Sequence, residues 1–279
     1  MKRKKIDIAR LQDKKRKGEK ITMLTAYDAP TARMLDEAGI DTLLVGDSAA
    51  NVVLGYPDTL PVSMDEMVHH TKAVVRGSEF AMVIGDMPFM SYNISREEAV
   101  RNAGRFLKEG GADAVKLEGG AHVADTVAAL VRAGIPVVGH LGLTPQTAGR
   151  IGGYKVQGKD AETARQIVED ASKLQQAGAF LLVLECVPDR VATMISQSVD
   201  IPVIGIGAGN GCDGQVLVFH DMVGIKAGFT PKFVKRYAEL GEAIVAAAKA
   251  YKEEVESGAF PGPEETFTMA DEEFDKLSG

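Results

Sequence analysis

Short apolar runs alternate along this chain with longer stretches whose apolar positions recur at helical spacing. The runs are Ile21–Ala26, Thr42–Gly46, Ala81–Gly85, Asp113–Leu117, Pro136–Gly139, Phe180–Leu184, Pro202–Ile206 and Gln215–Phe219. They are nearly continuous in Val, Ile and Leu, as parallel strands covered on both faces must be. The helical stretches are Pro30–Ala38, Ser63–Gly77, Ser95–Glu109, His122–Arg132, Asp160–Gln176 and Pro188–Gln197. Ser63 with Glu66 and Ser95 with Glu98 have the spacing of capping boxes. Glu37-Ala38-Gly39, Glu109-Gly110-Gly111, Arg132-Ala133-Gly134 and Gln176-Ala177-Gly178 each place a glycine where a helix should end. Thr230-Pro231 reads as a cap and first helical position, predicting a last long helix to about Glu256.

About eight strand–helix units in 279 residues predict a (β/α)8 TIM barrel, with a doubly wound parallel sheet as the alternative. One barrel domain would span 1–279, with a lead-in helix over about 1–20 and a loosely held acidic tail over about 257–279. One unit fits poorly. Between Ile206 and Gln215 there is no room for a full crossover helix, so either the connection is a single turn or one strand is misassigned.

Composition narrows the setting. A hydrophobic share of 45% with 25% charged residues supports an ample core. No apolar run approaches the roughly 20 residues of a membrane helix. The basic start Met1-Lys2-Arg3-Lys4-Lys5 is followed by no apolar signal segment, so a cytoplasmic protein is expected. A net charge of −7 argues against a nucleic-acid partner, and the Lys/Arg cluster before Gly18 reads as the solvated face of the lead-in helix. Cys186 and Cys212 are too few for a disulfide framework and are expected as free thiols.

Chemistry enters at the ends of the runs. Asp47-Ser48, Asp86, Glu118, His140, Glu185 and His220-Asp221 each follow or close a predicted strand. Lys116 interrupts its own run two residues before Glu118, so both side chains point to one face. Singly, such acids are ordinary caps, and His140 is an ordinary structural histidine. In a barrel, however, all these strand ends open on one face. Carboxylates crowded there repel unless protons or a cation intervene. Oxygen ligands without cysteine or histidine spacings suit Mg²⁺ better than zinc. Gly205-Ile206-Gly207-Ala208-Gly209 lacks the spacing and following helix of a dinucleotide loop. Cys186 reads as packing rather than as a nucleophile.

At these residues the chain resembles the ketopantoate hydroxymethyltransferase family. The matching segments include Thr25-Ala26-Tyr27-Asp28, Val45-Gly46-Asp47-Ser48, Asp86-Met87-Pro88-Phe89-Met90-Ser91-Tyr92, Val115-Lys116-Leu117-Glu118-Gly119-Gly120, Gly139-His140-Leu141-Gly142-Leu143-Thr144-Pro145-Gln146, Leu184-Glu185-Cys186-Val187-Pro188 and Cys212-Asp213-Gly214-Gln215-Val216-Leu217. Two departures are small: Ala49-Ala50 stands where the family pattern has Leu-Gly, and Gly85 where it has Ala. The resemblance implies a barrel of the phosphoenolpyruvate/pyruvate type, assembled as a homodecamer. It implies transfer of a one-carbon unit from 5,10-methylenetetrahydrofolate to 3-methyl-2-oxobutanoate, giving 2-dehydropantoate in pantothenate synthesis. Asp47, Asp86 and Glu118 would serve a Mg²⁺ site, directly or through water. Asp47, Ser48, Asp86 and Lys116 would contact substrate, Glu185 would be the general base, and His140 would support the site or replace Glu185 as base. Two alternatives stay open at this point: a folate-independent Mg²⁺-dependent 2-oxo-acid lyase or aldolase, and a non-catalytic 2-oxo-acid sensor.

Overall fold

In the computed structural model, which describes residues 3–150, 152–225 and 230–277, eight parallel strands close into a barrel in sequence order. Met1, Lys2 and the last two residues of the predicted tail lie outside the described residues. The strands are β1 (Ile21–Thr25), β2 (Thr42–Val45), β3 (Met82–Asp86), β4 (Ala114–Glu118), β5 (Val137–Gly142), β6 (Leu181–Glu185), β7 (Val203–Ile206) and β8 (Gly214–Leu217). The helices are α1 (Ile8–Lys17), α2 (Ala29–Glu37), α3 (Ala49–Val52), α4 (Met64–Gly77), α5 (Arg96–Lys108), α6 (Ala124–Arg132), α7 (Ala161–Gln176), α8 (Asp189–Ser198), α9 (Phe219–Met222), α10 (Leu240–Ser257) and α11 (Asp271–Asp275). Each of the eight predicted runs is a strand, with ends moved by a few residues. Gly39, Gly111, Gly134 and Gly178 all take positive φ, so the glycine stops act as left-handed caps. Ser63 and Glu66 form a full capping box, whereas Ser95 makes only its half, accepting from the Glu98 amide.

Strand alternation divides the apolar side chains into two cores. Leu24, Leu43, Val45, Val83, Val115, Leu117, Val137 and Leu184 pack outward with the helices. Ile21, Met23, Leu44, Met82, Ile84, Ala114, Val138, Leu181, Val183 and Ile204 fill the barrel interior. Leu11 of α1, fully buried, belongs to the inner set. The lead-in helix therefore does more than present a solvated face: it plugs the N-terminal end of the barrel. Its flanking lysines are matched to aspartates at the strand starts. Lys14 Nζ lies 2.6 Å from Asp41, Lys15 Nζ 2.7 Å from Asp213, and Lys5 Nζ 2.9 Å from Asp113. The same aspartates accept backbone amides, Asp41 from Thr22, Asp213 from Val203 and Asp113 from Val83.

Two sequence expectations need correction or resolution. The last long helix begins at Leu240, not after Thr230. The Tyr237, Leu240 and Gly241 amides donate to Met222, Val223 and Gly224 carbonyls, which keeps this segment tied to the end of α9 and out of helical bonding. The poor unit between Ile206 and Gln215 is real strand on both sides, joined without a helix. Ile204 pairs with Gly214, and positive φ at Gly207 and Gly209 lets the short connection turn.

If Leu11 plugs the barrel, Leu11→Ala should destabilise the protein by about 2–5 kcal/mol in chemical denaturation. A loss below about 1 kcal/mol would mean that α1 only rests on the surface.

Candidate active site

Where the inward row of a strand reaches its C-terminal end, it turns from apolar to ionisable. Met82 and Ile84 are succeeded by Asp86 on β3, Ala114 by Lys116 and Glu118 on β4, Val138 by His140 on β5, and Val183 by Glu185 on β6. Register then sets neighbours side by side: Asp86 pairs with Lys116 and Glu118 with His140. Asp47 follows the end of β2, and its backbone amide donates to Asp86 Oδ2 at 3.1 Å. Gly46 takes the inward place before it, where a Cβ would come within 2.9 Å of Ser48 Oγ. Ser48 Oγ is 2.7 Å from the hydroxyl of Tyr27. Asp47, Asp86, Lys116, Glu118 and His140 are each at most 5% exposed, so their charges must be balanced by one another or by a bound ion.

The balance is tight. Lys116 Nζ lies 2.7 Å from Asp86 Oδ1. Burial pushes the Asp86 carboxyl up to about 7; Lys116 opposes the rise, while Asp47 and Glu118 add to it. Burial works against the charge on Lys116, but Asp86, Glu118 and Asp47 outweigh it and hold the ammonium above the ordinary lysine range. Burial also raises Glu118, against the pull of His140 and Lys116. His140 Nδ1 is 3.3 Å from both Glu118 Oε1 and Lys116 Nζ, and Nε2 is 3.2 Å from Glu185 Oε2. Burial and Lys116 disfavour a charged ring, yet the two glutamates prevail and lift it to about 9. Lys116 can donate to Nδ1 only while that nitrogen carries no hydrogen; on a protonated ring the two face each other as donors, and the contact with Glu118 stays an ion pair without hydrogen-bond geometry. The sum over Asp47, Asp86, Glu118 and Glu185 against Lys116 and His140 is an excess of two negative charges when all are ionised, which one divalent cation would cancel.

The donor set fits such an ion. Asp86 Oδ1 and Glu118 Oε1 are buried without a hydrogen-bond partner; their contacts with Lys116 and His140 are ion pairs that lack hydrogen-bond geometry. No group of three His, Cys, Asp or Glu side chains among the described residues could hold a metal by itself. That suits Mg²⁺, which keeps waters and uses one or two carboxylates plus substrate oxygens.

The structure thus brings Asp47, Ser48, Asp86, Lys116, Glu118, His140 and Glu185 to one mouth. It adds residues to which the sequence pattern assigned no role. Gln146, 3% exposed in the turn after β5, donates from Nε2 to Asp47 Oδ2 at 3.0 Å and from its backbone to Glu118 Oε2 at 3.1 Å. Tyr92, also buried, donates its hydroxyl to Gln146 Oε1 at 2.7 Å. Both stand inside segments that carried the family resemblance, which was the one signal available. Cys186 takes positive φ (49°) directly after Glu185 and accepts the Gln157 amide on its carbonyl. Burial pushes its thiol up to about 11, so it is no ready nucleophile. His220-Asp221 lies on the β1–β8 side of the mouth, its imidazole ring 5.5 Å from Tyr27.

Comparison with known proteins agrees with this arrangement. In fold, the chain is similar to a 2,3-dimethylmalate lyase of the PEP mutase/isocitrate lyase superfamily, with a TM-score of 0.60, 18% identity and 98% and 94% of the two chains covered. It is similar also to a phosphonopyruvate hydrolase solved with oxalate and Mg²⁺, with a TM-score of 0.61, 13% identity and 98% and 94% covered. In sequence it is 58% identical over 273 residues to a 3-methyl-2-oxobutanoate hydroxymethyltransferase of Syntrophomonas wolfei, covering 98% of this chain and 99% of the relative. It is 60% identical over 260 residues to the enzyme of that name from Syntrophobacter fumaroxidans, covering 93% and 92%. Residues 5–263 match the model of the ketopantoate hydroxymethyltransferase family. Matched by the family model over residues 5–263 and by relatives over nearly its whole length, the chain belongs to the ketopantoate hydroxymethyltransferase family.

Proposed function

We propose that this chain takes the one-carbon unit of 5,10-methylenetetrahydrofolate, with water, and joins it to C3 of 3-methyl-2-oxobutanoate, giving 2-dehydropantoate and tetrahydrofolate. The observation that carries the mechanism is the convergence of three buried carboxylates and the half-buried Glu185 with only two cationic side chains. Asp47 and Asp86 would hold Mg²⁺, with Glu118 reaching it directly or through water. When bound, the ion supplies positive charge to the oxygens of the 2-oxo acid and makes the C3 hydrogen more acidic.

The protein's own groups do the rest. Lys116, held charged by its acidic neighbours, contributes a second positive charge near the keto oxygen. The same charge makes it a poor amine nucleophile, so the chemistry does not use a Schiff base on Lys116. Ser48, steadied by Tyr27, contacts the substrate. Glu185 removes the C3 proton. His140 Nε2 holds one of its oxygens and leaves the other for the proton. Water cleaves the two bonds from the methylene carbon to the folate nitrogens, its oxygen staying on the carbon and its two hydrogens going to tetrahydrofolate; the carbanion adds to that carbon at the formaldehyde level, and the new alkoxide takes the proton held by Glu185.

Among the described residues no helix is long and apolar enough to cross a membrane. A cytoplasmic location is part of this proposal, as is a homo-oligomer, decameric by resemblance. The exposed face of α10 supports association: none of its 18 residues is buried, and Ile244, Val245, Tyr251 and Val255 are all exposed. A helix with so little packing is marginal alone in water.

Three outcomes test these statements. Glu185→Gln should slow Mg²⁺-dependent exchange of the C3 hydrogen with deuterated water, followed by NMR without folate, by roughly 10²–10⁴-fold. Undiminished exchange with Mg²⁺ still bound would shift the role of base to His140. The second outcome concerns pH. Asp86 and His140 are both raised in the folded protein, to about 7 and about 9. Their contribution to stability is complete below their unfolded values and is lost as pH climbs through the folded ones. Metal-free protein should therefore lose the Asp86 contribution to its melting temperature between about pH 4 and about pH 7 and the His140 contribution between about pH 6.5 and about pH 9, and Mg²⁺ should restore most of the loss at the upper end. A flat profile would contradict the charge balance described above. Third, light scattering at working concentration should find a large assembly; a stable monomer would remove the oligomer from the proposal.

A further inference from the structure

We propose that Gln146 is a positioning residue that holds Asp47 and Glu118 turned toward the metal. The inference rests on the reading of these carboxylates as the Mg²⁺ site, and it comes from the direction of each hydrogen bond around one amide. The Tyr92 hydroxyl accepts the Glu118 backbone amide at 3.3 Å, so its own hydrogen is free for Gln146 Oε1, 2.7 Å away. Oε1 must then face Tyr92, and Nε2 must face the other side. There it meets two acceptors, Asp47 Oδ2 and the Met87 carbonyl, each at 3.0 Å. The rotated amide would set oxygen against both of these and nitrogen against a donor, so the surroundings permit one orientation.

Two consequences follow for the carboxylates. Asp47 Oδ2 receives a hydrogen from the amide, which fixes how the carboxylate is turned. Among the described residues that is the only hydrogen bond to the Asp47 carboxylate, which leaves Oδ1 open as a ligand. Glu118 Oε2 receives the Gln146 backbone hydrogen, while Oε1 is the buried oxygen without a partner. One residue therefore grips one oxygen on each of two carboxylates from different elements. The turn that carries it is fixed by Pro145 at its first position and by a 2.6 Å contact between Thr144 and Thr147 hydroxyls. Gln146 does not touch the reacting atoms in this arrangement; it acts through the carboxylates.

The test is calorimetric titration of Mg²⁺ into the full chain, without substrate, for wild type, Gln146→Leu, Tyr92→Phe and the double variant. Gln146→Leu should weaken Mg²⁺ binding by about tenfold or more, the usual effect of removing a partner that orients a metal ligand. Tyr92→Phe should weaken it less, because the amide stays but loses the donor that orients it. The double variant should bind no more than a few-fold more weakly than Gln146→Leu, the remainder being the Glu118 backbone amide that the Tyr92 hydroxyl also accepts. Near-UV circular dichroism checks that Gln146→Leu keeps its packing. If that variant does not fold, Tyr92→Phe decides, and unchanged affinity there overturns the proposal. Wild-type binding with equal affinity in Gln146→Leu overturns the positioning role alone. Absence of Mg²⁺ binding in wild type overturns the metal reading itself.

Discussion

The arrangement at the mouth depends on one buried ion pair, Lys116 with Asp86, set side by side by the register of β3 on β4. Removing the ammonium would leave Asp47, Asp86 and Glu118 facing one another in a dry cavity, where like charges cannot all remain. A buried pair of this kind is a weak source of stability, because desolvation offsets much of its attraction. Its value here is in charge balance. It leaves a negative excess that a divalent ion would cancel, and the bound ion would in turn offer its charge to an anionic substrate. His140 extends the same balance to β6 by lying between Glu118 and Glu185.

The two ends of the barrel use similar residues to different ends. At the base, Asp41, Asp113 and Asp213 each accept a backbone amide and a lysine from the lead-in segment, so they are satisfied within the chain. At the mouth, Asp86 and Glu118 keep buried oxygens with no hydrogen-bond partner. A satisfied carboxylate contributes structure. An unsatisfied buried one costs free energy unless something else binds, and that is the physical mark of a site. The split matches the general division of such barrels into a stabilising face and a catalytic face. Gly85 illustrates how closely the outer layer supports the inner one. Phe106 of α5 lies where its Cβ would be, 2.3 Å away, so the alanine of the family pattern would need this helix to shift.

Much of this was legible along the chain. Strand alternation has period two, so an ionisable residue closing an apolar run continues the inward row, and Asp86, Lys116, Glu118, His140 and Glu185 could be read from that rule. Gln146 and Tyr92 could not. They sit in turns, where polar residues are commonplace and no period marks which ones are buried. Leu11 was equally silent, because an amphipathic helix shows an apolar face without showing what it packs against. The start of α10 was misread from Thr230-Pro231, a sound local signal overruled by amides committed to the end of α9.

By itself, then, the sequence determined the eight strands, most helix caps and the chemical character of each strand end, since these follow from backbone geometry over a few residues. Tertiary structure alone decided which carboxylates meet, which oxygens stay open, which way the Gln146 amide points and that His140 lies between two glutamates that favour its charged form. Those properties depend on distances between groups far apart in the chain and on the exclusion of water around them, and neither is encoded in local spacing.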